Sequence, residues 1–413
     1  MREFEHIKLK YVANIFNGNS IPDELKGNYE GKSIPYIPTK ELSVEDGAIN
    51  YDNGLSVNET DGFRIAPSES VLMCIEGGSA GKKIGFTDRP VAFVNKLCCI
   101  HGTTAFPKIL YHALRSKDFT DQFFLNMTGL IGGVTVSVLK NLTITIPKRI
   151  SEQQAIADIL DRKCTQIDAL IANEEQQIAK LKSYKQSVIT ETVTKGLDPD
   201  VPMKDSGVEW IGEIPYTWSL KATKRLFVIE SGATPKSDNP DNFDGDIVWI
   251  TPADYTTEQV YITDSRRKLT ELGLKTCSTS LIPPNSIIFS KRAPIGLVAI
   301  NHVELCTNQG CLSCISKTND LIKYYYYVMS IFTDQYNLLG SGTTFKEISL
   351  TSFSNFILPC PPVEEQQHIA EYLDQKCEQI DRLIAIKQQK IEKLQQYKKS
   401  LIYEYVTGKK EVI

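Results

Sequence analysis

The 413-residue sequence predicts an α/β (α+β) fold class in which two domains occur in duplicate, separated by two long helices that pack antiparallel as a coiled coil. Three observations predict this fold. One long helical pattern occurs twice, short runs rich in β-branched residues precede each copy, and a segment rich in proline and glycine follows the first copy. Self-similarity at a fixed spacing identifies a duplicated architecture before any local pattern does.

The duplicated helix runs from Glu152 to Thr194 and again, 213 residues later, from Glu365 to Thr407. The frame holds without a gap, and 26 of the 43 aligned pairs are identical. At about 1.5 Å per residue, each continuous helix would be about 65 Å long. We therefore predict helical regions at 151–196 and 362–407, with residues 408–413 as a tail.

Residues 1–150 are predicted to form the first mixed domain. Short β-rich runs alternate with turns that contain glycine, asparagine and aspartate, which is the pattern of strands. Lys108–Phe124 has the spacing of a helix. The expected strands are Ser33–Pro38, Ser70–Ile75, Ala92–Ile100, Val134–Val138 and Leu142–Ile146.

Residues 197–217 are predicted to be a connector, and residues 218–361 a second mixed domain. The connector is rich in proline and glycine, which end the first helix. The second domain repeats the plan of the first more weakly, since Ile247–Ile250 corresponds to Ile34–Ile37 at the same spacing of 213 residues. A duplicated scaffold that carries two divergent domains is the simplest interpretation.

Each long helix carries one apolar stripe with steps of three and four residues. Such a stripe needs a partner, and the other copy offers one as a coiled coil. Because the first helix leads into the second domain and the second helix leads out of it, we expect an antiparallel pair with the domains at opposite ends. The stripe also includes Tyr184 and Tyr397. The positions expected to pack are Ile156, Leu160, Ile167, Ile171, Leu181, Ile369, Leu373, Ile380, Ile384 and Leu394.

The composition, with 41% hydrophobic and 23% charged residues, is that of an ordinary soluble protein. No apolar run reaches the roughly 18 residues of a membrane span, and no signal peptide is evident. Ten scattered cysteines suggest reduced thiols, so a cytoplasmic location is expected. The net charge of −4 is unusual for a protein that binds nucleic acid alone, so any positive surface must be local or a partner must supply the rest.

Catalytic motifs are not evident in the sequence, and we expect no catalytic residue. The glycine-rich segment Gly77–Lys83 fails the spacing of a phosphate-binding loop, because Glu76 stands where the first glycine belongs. The segment is predicted either to carry Lys82 and Lys83 toward a DNA backbone or to be a solvated turn.

A metal site is a weak alternative for the cysteines Cys306, Cys311 and Cys314. Zinc needs a fourth ligand at a suitable spacing, which His302 could supply. The apolar neighbours of these cysteines favour a buried strand instead. We expect no metal and no cofactor in this chain.

Two motifs and the connector carry a resemblance to a known family. The motifs are Pro147 followed by Glu152-Gln153-Gln154-x-Ile156-Ala157, and Pro359 followed by Glu365-Gln366-Gln367-x-Ile369-Ala370, each leading to a Leu-Asp pair. The connector contains Ser206-Gly207-Val208-Glu209-Trp210-Ile211-Gly212-Glu213-Ile214-Pro215-x-x-Trp218. Together they resemble the specificity subunit of a type I restriction–modification system. One departure is that no equivalent of Gly212–Trp218 precedes the first domain.

This resemblance implies a DNA-binding, non-catalytic subunit. Each domain would be a target-recognition domain that reads one half of a bipartite DNA site. The helices would set the gap between the halves and dock two methyltransferase (modification) subunits, which would use S-adenosylmethionine. Restriction (motor) subunits can join such a complex.

The expected DNA contacts are basic side chains in loops, together with two threonines in the polar loop Ser341–Lys346. Phosphate contacts position a protein on DNA, and base contacts give specificity. Tyr324–Tyr327 could stack on bases, but their helical context favours packing. The candidates are Lys40, Lys82, Lys83, Arg89, Arg266, Arg267, Lys268, Lys291, Arg292, Lys346, Thr343 and Thr344.

Two other functional classes stay open at this point. A scaffold that joins two protein partners without reading DNA would carry apolar rather than basic loop tips. A nuclease or methyltransferase with an unrecognised site would act on DNA by itself.

Overall fold

The computed structural model describes residues 3–44, 46–129, 132–317, 321–342 and 346–410. The chain folds into two compact units. One unit is formed by Met1–Gln177 with Ile386–Ile413, and the other by Ile178–Ala385. Each unit therefore contains one mixed domain together with part of both long helices.

The domain of the first unit begins with strands and ends with short helices and one further strand. Its elements are β1 (Phe4–Lys8), β2 (Ala13–Asn17), β3 (Ile34–Ile37), β4 (Ser56–Val57), β5 (Ile65–Ala66), β6 (Val71–Cys74), β7 (Ile84–Phe86), β8 (Val91–Phe93), β9 (Leu97–Gly102), α1 (Pro107–Leu114), α2 (Lys117–Leu125), α3 (Val136–Asn141) and β10 (Thr143–Pro147). Two four-stranded sheets have the orders β2-β9-β6-β7 and β4-β3-β8-β5, and β1 pairs with β10. Strands β3 and β8 are parallel, and the other pairs are antiparallel.

Three local predictions for this domain are wrong. Lys108–Phe124 is two helices, because Ser116 caps α2 by accepting a hydrogen bond from the Phe119 N–H at 3.4 Å. Val134–Val138 is not a strand, because the Thr135 hydroxyl accepts from the Val138 N–H at 3.3 Å and starts α3. Such side chains replace the missing helical acceptor at a helix start. Ala92–Ile100 contains β8 and β9 with a tight loop between them.

The second unit begins within the first long helix, α4 (Ile150–Lys195), and ends within the second, α10 (Val363–Val406). Between these helices lie β11 (Met203–Asp205), β12 (Glu213–Pro215), β13 (Ser219–Ala222), α5 (Thr223–Leu226), β14 (Phe227–Ser231), β15 (Phe243–Ile250), β16 (Tyr261–Ile262), β17 (Lys268–Leu269), α6 (Glu271–Lys275), β18 (Ile287–Lys291), β19 (Ile295–Asn301), β20 (Cys306–Thr307), β21 (Cys311–Ser316), α7 (Ile322–Ile331), α8 (Thr333–Leu339), α9 (Leu350–Asn355) and β22 (Ile357–Cys360).

The sheets of the second domain repeat those of the first. The order β14-β21-β18-β19-β16 contains the equivalents of β2-β9-β6-β7 and adds one strand. Strands β15 and β20 are parallel like β3 and β8, and β13 pairs with β22 as β1 pairs with β10. The predicted duplication of a mixed α/β domain is confirmed by this shared topology.

The N-terminal part of each long helix packs into the core of the domain that precedes it. In the first unit, Ile156 and Leu160 belong to the same buried cluster as Phe119. In the second unit, Ile369 and Leu373 belong to the cluster that contains the buried tyrosines of α7. Tyr324–Tyr327 are therefore packing residues, as predicted.

The start of α4 is stabilised by a backbone group and not by a side-chain cap. The helix begins at Ile150, so Ser151 lies inside it and is not the N-cap. The first donors are satisfied by a backbone group instead, because the Glu152 and Gln153 N–H groups both donate to the Arg149 carbonyl at 3.0 Å.

Ion pairs show that the two long helices pack antiparallel in each unit. In the first unit, Asp168 pairs with Lys398 at 2.6 Å, and Glu174 pairs with Lys390 at 2.6 Å. Residue numbers thus fall along α10 as they rise along α4. In the second unit, Asp381 pairs with Lys185 at 2.7 Å, and this pair is the repeat equivalent of Asp168 with Lys398. The predicted antiparallel pair is confirmed.

The ten predicted packing positions are buried or half-buried. Ile156, Leu160, Ile167, Ile369, Leu373, Ile380 and Ile384 are buried, and Ile171, Leu181 and Leu394 are half-buried. The prediction that the stripe includes Tyr184 and Tyr397 is wrong, since both side chains are exposed. Each follows a packing leucine by three residues, which places it at the edge of the stripe.

All ten cysteines lie in described segments and are free thiols, nine of them buried. Burial raises the pKa of Cys311 to about 12, and Cys306 is similarly affected. Within the described residues, no helix is long and apolar enough to cross a membrane.

Candidate nucleic-acid interface

The glutamine of each repeated Glu-Gln-Gln motif joins a long helix to its domain. Gln153 accepts a hydrogen bond from the Phe106 N–H at 2.8 Å and donates to the Pro147 carbonyl at 2.7 Å. Gln366 makes the same two contacts, with the Leu321 N–H and the Pro361 carbonyl, both at 3.0 Å. Both glutamines are buried. The shared motif therefore holds the segment before α1 or α7 against the start of α4 or α10.

An aspartate that occurs at the same position of both long helices makes a second contact between each helix and its domain. Asp161 accepts from His112 Nε2 at 2.8 Å and pairs with Lys108, both on α1. Its repeat equivalent, Asp374, contacts Lys323 at 3.2 Å and accepts from the Tyr327 hydroxyl, both on α7. The junction is thus built alike in the two units, except that one uses a histidine where the other uses a tyrosine.

The histidine makes the first junction sensitive to protonation. His112 is almost completely buried, and this burial lowers the pKa of its imidazole, although Asp161 opposes the shift. Burial raises the pKa of Asp161, but hydrogen bonds from His112 and Lys108 outweigh it and leave the pKa below its usual value. The neutral imidazole with a proton on Nε2 fits this arrangement.

The loop between β8 and β9, which the sequence does not reveal, is held at three points. The Asn19 N–H donates to the Phe93 carbonyl at 2.9 Å, and the Val94 N–H donates to the Ile37 carbonyl at 3.1 Å. The Ile75 N–H donates to the Lys96 carbonyl at 3.0 Å. These bonds tie the loop Val94–Lys96 to three neighbouring segments.

The loop between β20 and β21 is held by the equivalent three bonds. The Ala233 N–H donates to the Thr307 carbonyl at 3.0 Å, and the Asn308 N–H donates to the Ile250 carbonyl at 2.8 Å. The Lys291 N–H donates to the Gly310 carbonyl at 2.9 Å. The loop Asn308–Gly310 therefore takes the place of Val94–Lys96 in the second domain.

A glycine permits the close approach of backbone in both loops. A Cβ on Gly18 would lie 1.9 Å from the Phe93 carbonyl oxygen, and one on Gly232 would lie 2.1 Å from the Thr307 carbonyl oxygen. Larger residues at these positions would push the strand away. The position of each loop therefore depends on close packing between the glycine backbone of one strand and the carbonyl that precedes the loop.

Three of the four basic candidates of the first domain (Lys40, Lys82 and Lys83) lie in segments next to those that hold the loop Val94–Lys96. Lys83 donates to the Thr39 carbonyl at 3.0 Å, which places it beside exposed Lys40. Lys82 donates to the Gly78 carbonyl at 3.2 Å and is also exposed. The glycine-rich segment Gly77–Lys83 is thus a turn whose two lysines bond to backbone oxygens.

Lys96 is a further basic residue of this surface that sequence reasoning missed. It is exposed in the loop, and both Lys96 and Lys83 lie close enough to Cys74 to influence the pKa of its thiol. Its only sequence signal is the Asn-Lys pair inside an apolar run. Arg89 lies elsewhere, stacked over the Tyr51 ring at 4.5 Å and paired with Asp88 at 2.8 Å.

Three of the six basic candidates of the second domain meet at the equivalent place. Lys291 and Arg292 both pair with Glu347, at 2.9 and 3.4 Å. Exposed Lys346 precedes that glutamate. Because Lys291 also bonds to Gly310 through its backbone, this group lies against the loop Asn308–Gly310. Thr343 and Thr344 lie outside the described residues.

A pair of β-bridges precedes the last helix of each domain. Gly133 bridges Glu76 and Thr128 in the first domain, and Glu347 bridges Arg292 and Ser341 in the second. The same pair of bridges therefore recurs in the two domains.

Arg266, Arg267 and Lys268 form a separate basic segment that begins beside Asp254. The Arg266 N–H donates to Asp254 at 3.0 Å, and Arg267 stacks over the Phe243 ring at 3.8 Å. Lys268 pairs with Asp264 at 3.1 Å. Arg266 and Arg267 stay exposed and retain donors for a partner.

The cysteines considered for zinc are packing residues. Cys306, Cys311 and Cys314 are buried in β20 and β21, and His302 instead stacks on Tyr261 at 4.1 Å. Among the described residues, no group of three or more histidine, cysteine or acidic side chains could hold a metal ion.

The helices carry two equivalent exposed apolar patches. In the first unit, Leu170 is 47% exposed and Tyr397 is 51% exposed. In the second unit, Leu383 is 48% exposed and Tyr184 is 52% exposed. In each unit the leucine of one helix lies at the same level as the tyrosine of the other, given the register of the ion pairs. Each of the four exposed residues directly precedes a buried or half-buried position of its helix, namely Ile171, Lys398, Ile384 and Lys185.

Comparison with known proteins identifies the family. Residues 1–183 and 215–396 match the family model described as type I restriction modification DNA specificity domain. The chain is 26% identical over 423 residues to the type I restriction enzyme MjaVIII specificity subunit of Methanocaldococcus jannaschii, covering 97% of this chain and 90% of that protein.

Two further relatives from the same organism are matched over shorter segments. Identity is 37% over 166 residues to the MjaIX specificity subunit, covering 40% of this chain, and 30% over 274 residues to the putative MjaX specificity subunit, covering 66%. The chain spans 38% and 60% of the lengths of these relatives. A solved structure from work on complex assembly and conformational transition of the type I R-M system shares the fold, with a TM-score of 0.75, 16% identity and 98% coverage of each chain.

Proposed function

The chain belongs to the type I restriction–modification DNA specificity family, and from this premise we propose that it selects the DNA sequence on which a type I complex acts. Each domain reads one half of a bipartite site. The observation that carries this proposal is the loop surface that recurs in the two domains, with Val94–Lys96 or Asn308–Gly310 fixed by equivalent backbone bonds and flanked by basic residues.

The charge of these surfaces supports contact with a DNA backbone. Lys40, Lys83 and Lys96 gather near one loop, and Lys291 and Lys346 gather near the other. Lysine neutralises phosphate, and the release of counterions drives sequence-independent attraction. Because the whole chain carries a net charge of −4, we infer that partner subunits complete the positive channel around DNA.

The partners that we propose are two methyltransferase (modification) subunits, one for each apolar patch. The patch of Leu170 and Tyr397 has the same residue types as that of Leu383 and Tyr184. Exposed leucine and tyrosine at equivalent positions suit two copies of one partner, and aromatic anchors dominate the energy of many interfaces. Restriction subunits would join through this complex.

The helices set the spacing between the half-sites in this proposal. DNA advances about 3.4 Å per base pair, so a fixed separation of two reading domains corresponds to a fixed number of base pairs. Two domains on one chain also bind together more tightly than either alone, because the second contact is intramolecular.

The chain itself performs no chemistry in this proposal. It needs no cofactor, and the methyltransferase partner uses S-adenosylmethionine. The free thiols suit a reducing cytoplasm, where such a complex would act.

A gel-shift experiment tests the proposal. The full chain is mixed with its methyltransferase subunit and a set of duplexes of equal length and composition that tile a genomic fragment. We expect a few duplexes to bind about 10³-fold or more tightly than the others. Equal binding to every duplex would contradict the proposed function.

A further inference from the structure

The tips of the two fixed loops carry the same chemical group. The middle residue is Asn95 in the first domain and Gln309 in the second, and both side chains are exposed. These residues are equivalent because the three backbone bonds of each loop join the positions immediately around them. Both present a carboxamide, although the two domains differ widely in sequence.

The carboxamide is held on a rigid support in each domain. Phe93 and Thr307, two residues before the tips, end strands packed tightly over Gly18 and Gly232. In the second domain, the Thr234 hydroxyl also hydrogen-bonds the Gln309 side-chain oxygen, and exposed Ser20 occupies the equivalent position in the first domain. A readout group needs such support, because loose side chains discriminate poorly.

The chemistry of a carboxamide specifies one base. In the major groove, adenine presents the N7 acceptor beside the N6 amino donor, and an asparagine or glutamine side chain pairs with both at once. The amide NH2 donates to N7 while the amide oxygen accepts from N6. Guanine instead presents two acceptors, which suit arginine or lysine.

The basic residues near each loop and the carboxamide at its tip suit different parts of DNA. Lys96 follows Asn95 directly in the loop, and the Lys291 N–H donates to the carbonyl of Gly310, the residue after Gln309. Cations next to a carboxamide can hold the phosphate backbone on either side of the base that is read. Phosphate contacts position the protein, and contacts to base edges give the specificity.

We propose that Asn95 and Gln309 are specificity-determining residues, each reading one adenine in the half-site of its domain. This inference rests on the proposed function and adds to it a base and two residues. The two tips act independently, since each belongs to a different domain.

Isosteric variants test the inference, using the full chain in complex with its methyltransferase subunit. Asn95→Asp and Gln309→Glu keep the shape of each side chain but replace the amide donor by an acceptor, which suits the amino group of cytosine. Wild-type and variant complexes select from a pool of random duplexes, and sequencing of the bound fraction gives the base preference at every position. Gln166→Glu and Gln379→Glu, exposed carboxamides on the two long helices, are matched controls.

We expect each loop variant to lose its preference for adenine by about 5- to 150-fold at one position of one half-site. Cytosine should gain there, while the other half-site and both controls keep the wild-type motif. If the wild-type complex selects a motif that neither loop variant alters, the inference is overturned and the proposed function stands. If the wild-type complex selects no motif, both fail.

Discussion

Glu174 and Lys387 occupy the same position in the two copies of the long helix, and in the structure they contact each other at 3.1 Å. Gln177 and Lys390 are likewise equivalent positions of the two copies. Lys390 donates a hydrogen bond to Glu174, and Lys387 donates one to Gln177. The duplicated helices therefore meet at a point where one copy has become acidic and the other basic. The difference between the two copies at these positions makes the contact an attraction between opposite charges.

The equivalent pairs Lys398–Asp168 and Lys185–Asp381 should differ in their contribution to stability. The Lys398 side chain is 7% exposed, whereas that of Lys185 is 29% exposed. Removal of the buried lysine leaves a partly buried carboxylate without its partner. We expect Lys398→Ala to lower the free energy of unfolding by about 1–3 kcal/mol and Lys185→Ala by less than about 1 kcal/mol. Chemical denaturation of the two variants measures this, and equal losses would contradict the account.

The buried glutamine of each Glu-Gln-Gln motif should be essential for docking a domain on its helix. Gln153→Ala leaves the Phe106 N–H and the Pro147 carbonyl without their partner. Each unsatisfied buried group costs about 1–3 kcal/mol, so we expect a total loss of about 2–6 kcal/mol. Thermal or chemical unfolding measures the loss. The adjacent exposed residue provides the control, and a loss of similar size in Gln154→Ala would refute the assigned role.

The junction with a histidine should lose stability in mild acid. The folded pKa of His112 is lowered, so the folded state prefers the neutral imidazole. Its contribution is complete above the unfolded pKa of about 6.5 and is lost as pH falls below that value. The pKa of Asp161 is also lowered, so its carboxylate affects stability only at pH values more acidic than this range. We expect His112→Tyr, which copies Tyr327 of the other unit, to reduce the loss in stability between pH 7.5 and 5.5. Denaturation at both pH values measures it, and identical losses in wild type and variant would exclude this role.

Lysines that contact phosphate should change the salt dependence of DNA binding. Each phosphate contact contributes about 0.9 to the slope of log affinity against log salt concentration. We expect Lys96→Ala and Lys83→Ala each to reduce the slope by about this amount, with little change in the selected sequence. Titrations of the assembled complex at several salt concentrations measure the slope. Lys148→Ala, which removes a lysine that follows β10 and pairs with Glu3 at 2.9 Å, should leave the slope unchanged. A slope that stays the same in all three variants would exclude these phosphate contacts.

The apolar patches on the helices should each bind one methyltransferase subunit. A lysine at Leu170 or Leu383 places a charge within an apolar contact but leaves the core of the chain intact. We expect Leu170→Lys or Leu383→Lys to reduce the number of bound subunits from two to one, and the double variant to bind none. Native mass spectrometry counts the subunits. Ala172→Lys and Ala385→Lys, at exposed positions on the opposite side of each helix from the leucines, control for the added charge, and two subunits bound to the double variant would rule out this surface.

The sequence predicts the repeat, the long helices and their direction because these depend on periodicity and chain connection. The tyrosines at the edge of the stripe show the limit of this reasoning, since Tyr184 continues the apolar spacing but is exposed. Periodicity indicates which residues lie on the apolar side of a helix, whereas the packing of the partner helix determines how many of them are buried.

The loop that carries Asn95 could not be predicted from its own residues. It interrupts an apolar run without glycine or proline, and distant segments hold it by backbone bonds from Asn19 and Ile75. Similarly, the sequence marks Lys291 and Arg292 as a basic cluster but does not reveal that Glu347 pairs with both. Long-range pairing decides which cations remain available, and local patterns do not contain it.

The most direct test of the central claim is the pattern of DNA methylation in a host that lacks this system and receives the chain together with its methyltransferase subunit. We predict new methylation at a single bipartite sequence, of which one half changes when residues 218–361 are exchanged for those of a relative. Methylation without any common sequence, or an exchange that alters both halves, would contradict the account.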